Sequence, residues 1–205
     1  MQRIPVHPFH GTTTASTARR SIAVPAAVGL CEHTGAARAE AEAFIRERFA
    51  RCFGARVDAF MPRLFSLRNE AGEICGAFGL RSAAHRLFLE QYLDAPIERE
   101  IAARFGHPVE RRAVVEVGQF CGTYPGVVRA MIRLLTEHLH DEGYEWVAFT
   151  GTVSLRNAFS RMGLSPLDMR AADSARLPAT TRSAWGSYYE HVPRVLVGQI
   201  AQAVA

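Results

Sequence analysis

Two carboxylates stand out because each lies inside an apolar run: Glu116 within Val114-Val115-Glu116-Val117-Gly118-Gln119-Phe120, and Glu90 within Phe88-Leu89-Glu90-Gln91-Tyr92-Leu93. Burial disfavours a charged carboxylate and lifts its pKa toward neutrality, where it suits proton abstraction or the binding of an amine. The alternative for each is a solvent-facing side chain or an ion pair with an arginine such as Arg81. Tyr92, with Tyr188 and Tyr189, carries a hydroxyl fit either to protonate a leaving group or to line a pocket by aromatic packing. A further set suits anions. The segment Gln119-Phe120-Cys121-Gly122-Thr123-Tyr124-Pro125-Gly126 joins a β-rich run to an amphipathic helix. Unpaired N–H groups and the positive end of the helix dipole meet in such a turn. Arg129 and Arg133 follow early in that helix, where a cation is unfavourable unless a bound phosphate reverses the sign; otherwise Gly122 and Gly126 only shape the turn and both arginines are solvated. No metal centre is indicated. Cys31, Cys52, Cys75 and Cys121 form no C-x-x-C pair, and His138 and His140, two apart on a helix, point away from each other.

The elements that must position these groups follow from periodicity. Ala36 to Phe53 reads as a helix with Ala41, Phe44, Ile45, Phe49 and Phe53 at helical spacing, stopped by Gly54. Arg63–Arg68 and Ile74–Leu80 read as a hairpin around Gly72, and Leu87–Leu93 as another strand. Pro96 opens a helix to Phe105. The helix after Gly126 places Val127, Val128, Met131, Leu134, Leu135 and Leu139 on one face, and Gly143 ends it. Trp146–Thr150 is a nearly continuous apolar run, as buried parallel strands are, and Ser154 caps a last helix through Met162. Ser21 to Val28 suits a first strand, and Trp185 to Tyr189 a late strand or lid, or core filling. Within Val114–Phe120, strict alternation puts Glu116, Gly118 and Phe120 on one face and Val117, Gln119 and Cys121 on the other. The predicted fold is α/β (α+β), a mixed, mostly antiparallel sheet flanked by helices. No G-x-S-x-G, P-loop, G-x-G-x-x-G or H-E-x-x-H is present.

Length and composition suit one domain over residues 21–205 behind a flexible leader, residues 1–20. Hydrophobic residues at 48% and charged residues at 21% exclude disordered and collagen-like chains. All 24 basic residues are Arg, and they are scattered without a run of five, so no nucleic-acid footprint emerges from the net charge of +4. No apolar stretch of about 18 residues predicts a transmembrane segment. No secretory signal is read at the N-terminus. Unpaired cysteines point to reduced thiols in a cytoplasm.

Gly122 and Gly126 before an amphipathic helix resemble the pyrophosphate loop of GNAT acyltransferases, and Arg156-Asn157-Ala158-Phe159-Ser160-Arg161-Met162-Gly163-Leu164 resembles their later Asn-x-x-Ala segment. The loop departs from the usual pattern, keeping Gln119-x-x-Gly122-x-Tyr124. A likeness over about residues 36–200 is carried by Phe88–Leu93, Val115–Gln119, Leu155–Phe159 and Trp185–Tyr189, which together resemble the thermostable hemolysin family. The family's look is GNAT-like and similar to acyl-homoserine-lactone synthases, which share an acidic residue like Glu116 and a strand-ending arginine like Arg81. The resemblance implies an acyltransferase that moves an acyl group from acyl-CoA, or from the phosphopantetheine of an acyl carrier protein, to a small amine or hydroxyl acceptor. No permanently bound cofactor is expected. It assigns Glu116, Glu90 and Tyr92 to the chemistry. It assigns Val117, Gln119, Phe120, Gly122, Gly126 and Arg129 to the donor. Asn157 either contacts the pantetheine arm or neighbours a helix cap. Backbone N–H groups over Val117–Phe120 would polarise the thioester carbonyl. The competing readings are a membrane-active toxin in the literal sense, for which the sequence offers no inserting segment, and a GNAT-like module that binds without catalysis.

Overall fold

The structure, a computed structural model, describes residues 28–204. The expected leader and all but the last residue of the expected strand Ser21–Val28 lie outside that range. Seven strands, β1 (Val28–His33), β2 (Arg63–Arg68), β3 (Ile74–Ser82), β4 (Val114–Gly122), β5 (Trp146–Gly151), β6 (Leu167–Ala171) and β7 (Arg194–Gln199), form one sheet in the order β1-β2-β3-β4-β5-β7-β6. Every neighbouring pair is antiparallel except β4–β5. The helices are α1 (Arg38–Phe53), α2 (Ile97–Phe105), α3 (Pro125–Asp141), α4 (Val153–Arg161), α5 (Ala179–Ala184) and α6 (Ala201–Val204).

The predicted hairpin forms as β2–β3, with Gly72 at φ +80° and the Asn69 side chain accepting the Glu73 N–H. Helix α1 stops at Gly54 in the left-handed region, as does α2 at Gly106. One face of the sheet is covered by α3, which buries Val127, Met131, Ile132, Leu135 and Leu139; each contributes about 1.5–3 kcal/mol by burial. The other face is covered by α1, through Ala41, Ile45 and Phe49, and by α2, through Ile97 and Ile101.

Four expectations need correction. Leu87–Leu93 is not a strand; its N–H groups bond side-chain carboxylates instead of a neighbouring strand, and Leu89–Tyr92 forms a single helical turn. The helix expected to be capped by Ser154 starts at Val153, with Thr152 in extended conformation before it. Trp185–Tyr189 is no strand but the end of α5 and a second single turn, Tyr188–His191. Its Gly186, at φ +52°, lies so close to α1 that a Cβ there would meet the Phe53 carbonyl oxygen at 2.1 Å. Strands β6 and β7 complete the sheet beyond the expected elements; β6 is only five residues long and partly buried, though Leu167-Asp168-Met169-Arg170-Ala171 alternates apolar and polar as a half-buried strand does.

Candidate active site

Glu116 is on central strand β4 and is only 3% exposed. Its two carboxylate oxygens accept the backbone N–H groups of Phe88 at 2.8 Å and Leu89 at 2.9 Å. Burial pushes its pKa up to about 7, with the two N–H bonds and the positive charge of Arg81 pulling the other way. Arg81 is its register partner on β3. Glu90, in the turn just beyond, also accepts two backbone N–H groups, from Leu87 and Ile97, both at 3.0 Å. Unlike Glu116 it holds an arginine: Arg111 donates to both its oxygens, at 2.6 and 3.0 Å, and also to Glu98 at 2.6 Å. Burial raises the Glu90 pKa, but Arg111 and the N–H donors outweigh it and the net shift is downward. Arg111, not Arg81, is therefore the partner of Glu90, a contact across 21 residues with no local sequence signal. Outside this pair lies an open groove of about 460 Å³, lined by Arg86, Asp94 and Glu98 among others.

Strand β4 is bulged. Gly118 pairs with Gly79 and Cys121 with Ala77, so two residues, Gln119 and Phe120, oppose Phe78 alone. Gln119 takes φ +54°, one of two non-glycine residues with positive φ among the described residues. The extra residue resets the alternation. Glu116 and Gly118 keep the α1–α2 face, where a Cβ on Gly118 would meet the Met61 Cε at 2.3 Å. Phe120 turns to the α3 face, beside Val115 and Val117, and stacks on Phe78 at 6.0 Å. Cys121 joins the α1 face instead. The expected grouping of Phe120 with Glu116 thus fails at the bulge. The Gln119 amide is tied to the Ala59–Met61 segment, donating to Ala59 O at 2.8 Å and accepting the Met61 N–H at 3.1 Å.

Beyond Val117 and Phe149 the parallel strands β4 and β5 no longer pair. β4 runs on against β3 alone and β5 against β7 alone, leaving one side of Gly118–Gly122 without a strand. This gap leads to the turn before α3. Pro125 is at the first position of α3, and Tyr124 precedes it with no side-chain cap, so the first-turn N–H groups face outward. Gly122 and Gly126 flank this turn. Arg129 is exposed and makes no hydrogen bond or ion pair among the described residues. Arg133 instead pairs with Glu137 at 3.1 Å on the solvent side. Asn157 is exposed on α4, the helix after β5.

The hydroxyl of Tyr92, a residue 1% exposed, lies 2.6 Å from that of Tyr189. Burial raises the pKa of both, so both stay protonated. The Tyr188 hydroxyl reaches the Thr150 carbonyl at 3.5 Å, at the open end of β5. Trp185 packs against Phe88 and Phe49, closing this aromatic wall over the Glu116 corner. Burial pushes the Cys121 thiol up to about 12, which disfavours its thiolate. Among the described residues no three His, Cys, Asp or Glu side chains gather as a metal site would require. No helix there is long and apolar enough to cross a membrane. Glu116, Glu90 and Tyr92 therefore surround one corner of the α1–α2 face. Gly122, Gly126 and Arg129 mark the other end of β4, with Val117, Gln119 and Phe120 between.

Arg48 was not among the expected residues. It projects from α1 and donates to the Gly122 carbonyl at 2.8 Å. Its sequence signal was present: it falls at helical spacing beside the buried stripe of Ala41, Ile45 and Phe49, where an apolar residue would ordinarily fall.

Among solved structures, the fold is shared with FeeM, an N-acyl amino acid synthase from uncultured soil microbes, at 13% identity and a TM-score of 0.58 over 87% of this chain and 93% of that one. It is also shared with TofI, solved in a ternary complex with an inhibitor and MTA, at 17% identity and a TM-score of 0.54 over 86% and 96% of the two chains. The acyl-homoserine-lactone synthase LasI aligns at 10% identity and a TM-score of 0.52 over 86% and 92%. The mixed, mostly antiparallel sheet flanked by helices expected from the sequence is the fold of the chain, and it is shared with these structures. No curated protein matches the sequence. The profile of the family described as Thermostable hemolysin matches residues 31–204, and the chain belongs to that family.

Proposed function

We propose that the protein is an acyltransferase that moves an acyl group from a thioester, on CoA or on the phosphopantetheine of an acyl carrier protein, to a small amine or hydroxyl. The observation that carries this reading is Glu116: a buried carboxylate, its pKa pushed up to about 7, one residue before the point where β4 and β5 part and three before the bulge at Gln119. A base poised near neutrality beside an unpaired strand edge suits attack on a carbonyl. The named activities of FeeM and LasI lie in the same reaction class and support it.

In this reading the donor's pantetheine arm lies along the open side of Gly118–Gly122, with its phosphates toward Gly122, Gly126 and Arg129 and Asn157 beside the arm. Backbone N–H groups of Val117–Phe120 hydrogen-bond the thioester oxygen and stabilise the oxyanion as it forms. Glu116 takes the proton of the acceptor amine as nitrogen attacks. The C–N bond forms, the C–S bond breaks, and the thiolate takes a proton from the Tyr92–Tyr189 hydroxyl pair, which Glu116 then reprotonates. Products are the amide and the free thiol, and the enzyme returns to its starting state. Glu90, neutralised by Arg111, holds the Leu87–Ile97 segment whose N–H groups orient Glu116.

Acyl-CoAs of increasing chain length and acyl carrier protein, each incubated with small amines and followed by mass spectrometry, test the class. Glu116→Gln should lower kcat by about 10²–10⁴-fold while donor binding is kept. Absence of any transfer product, or a variant with unchanged turnover, would refute the assignment.

A further inference from the structure

Met61 lies where the gap between β4 and β5 begins. It precedes β2, is 6% exposed, and its side chain crosses two strands on the α1 face. At the near end its Cβ stands 2.3 Å from the place that a Cβ on Gly79 of β3 would take. At the far end its Cε stands 2.3 Å from the corresponding place on Gly118 of β4. Gly79 and Gly118 are register partners, and Gly118 is the first residue of β4 past its last pair with β5, Val117 with Phe149. The tip of Met61 therefore covers the edge of the gap, on the face of Glu116 and two residues along the strand from it. The Met61 backbone is fixed at both polar groups: its N–H donates to Gln119 Oε1 at 3.1 Å and its carbonyl accepts from Arg38. The unbranched thioether thus reaches across the sheet from an anchored backbone.

Neither glycine is needed for its backbone. Both lie outside the positive-φ residues, so a larger residue fits their conformation, and glycine inside a strand weakens it. What the pair provides is depth. Side by side on two central strands, they leave a slot in the sheet that Met61 fills, packed with Leu64, Ala77, Ile45 and Phe49 in one apolar cluster. Such a slot suits an alkyl chain; an amine or hydroxyl entering it loses water without gaining a hydrogen bond. A thioester oxygen held by the N–H groups of Val117–Phe120 puts its carbonyl carbon beside Gly118. An alkyl chain that runs on from there over Gly118 and Gly79 follows the path the Met61 side chain already occupies.

We propose that Met61 sets the length of the acyl group: it fills the slot that a longer alkyl chain needs, and so restricts the donor to short acyl groups. The proposal rests on the acyltransferase reading for its reaction and on the Met61 slot alone for the chain length. The test measures kcat/KM for donors from acetyl to decanoyl, at a saturating acceptor, on the wild type, Met61→Ala, Met61→Leu and Met131→Ala. The wild type should favour the short donors. Met61→Ala frees the space of Cγ, Sδ and Cε, so the optimum should move up by about three carbons. For the longer donors kcat/KM should rise about 20- to 60-fold, at about fourfold for each methylene buried. Lost packing alone lowers every donor alike and leaves the profile where it was. Met61→Leu keeps the core filled but ends short of Gly118, so it serves where the Ala variant fails to fold, with a shift of about one carbon. Met131 fills the place of a Cβ on Gly76 in the same way, its Sδ 2.1 Å away, but on the α3 face and 0% exposed, so Met131→Ala should not move the profile. A wild type that prefers long donors, an unmoved profile in both Met61 variants, or an equal shift in Met131→Ala overturns the proposal. If no donor is turned over at all, the reaction assignment fails by itself. Heat-melting with the straight-chain acids from acetate to octanoate then decides the slot, since an apolar cavity left by a truncated side chain takes up apolar ligands. A chain-dependent stabilisation of Met61→Ala that the wild type and Met131→Ala lack upholds it, and no stabilisation of Met61→Ala rejects it.

Discussion

Glu116 and Glu90 occupy neighbouring corners of the same segment, each accepts two backbone N–H groups, and both are largely buried, yet their pKa values move in opposite directions. The difference is a counter-ion. Arg111 grips both oxygens of Glu90, whereas Arg81 acts on Glu116 only through its field and bonds no oxygen of it. Burial with a bound guanidinium makes a carboxylate a structural strut; burial without one makes a base that holds its proton until near neutral pH. The largest effect should come from breaking the strut. Arg111→Ala leaves the Glu90 charge buried and unpaired, and should destabilise the fold by about 3 kcal/mol in denaturant unfolding. Because the folded-state pKa of Glu90 lies below its unfolded value of 4.5, the contribution of the pair is present above that pH and fades as pH falls below it. The variant and the wild type should therefore converge in acid. A constant gap down to the acid limit would mean that Arg111 acts by packing.

Glu116 should show the opposite slope. Its folded-state pKa is raised from 4.5 to about 7, so the folded protein holds the proton more tightly than the unfolded chain. Ionising it costs stability progressively between those two values, by about 3 kcal/mol in all. Glu116→Gln cannot ionise. Its stability relative to wild type should therefore rise as pH climbs from 4.5 to 8, even if the amide pairs less well with the Phe88 and Leu89 N–H groups. Unfolding at a series of pH values measures this without any knowledge of substrate. Parallel pH profiles for the two proteins would show that Glu116 ionises as it does in the unfolded chain, and the contrast with Glu90 would collapse.

The same contrast shows what the sequence could convey. Apolar flanks marked both glutamates as buried, and helical spacing drew α1 and α3 correctly, because those signals are local. The identity of each partner was not local. Arg111 and the Phe88 and Leu89 N–H groups come from 21 to 28 residues away, and their claim on the Leu87–Leu93 backbone is why an apolar run that reads as a strand folds into a turn. The bulge at Gln119 was hidden for a related reason. Nothing in Val-Gly-Gln-Phe announces a left-handed glutamine; the conformation is held by Ala59 and Met61, some 60 residues earlier. One extra residue on β4 then moves Phe120 away from Glu116 and brings Cys121 to the face of Glu116. Strict alternation holds up to Gly118, which is why Glu116 and Gly118 share a face as expected.

The open end of β4 completes the comparison, because its cation differs from Arg111 in every respect that sets energy. Arg129 is exposed, near the start of α3, and has no partner among the described residues, so in the free protein its charge opposes the helix dipole in high-dielectric surroundings. A donor phosphate at Gly122–Gly126 would turn that small penalty into a small attraction. Arg129→Ala should therefore leave unfolding almost unchanged, or raise stability by a few tenths of a kcal/mol, while weakening CoA binding only about 2- to 5-fold, the scale of an exposed charge near a helix end. That loss should shrink as salt rises from 10 to 500 mM, since the Debye length falls well below 10 Å. Titration calorimetry with CoA and with dephospho-CoA separates the phosphates involved. A loss that persists at high salt would mean that Arg129 bonds the donor directly in a site screened from solvent, and the line between a closed corner at Glu116 and an open one at Gly122 would have to be redrawn.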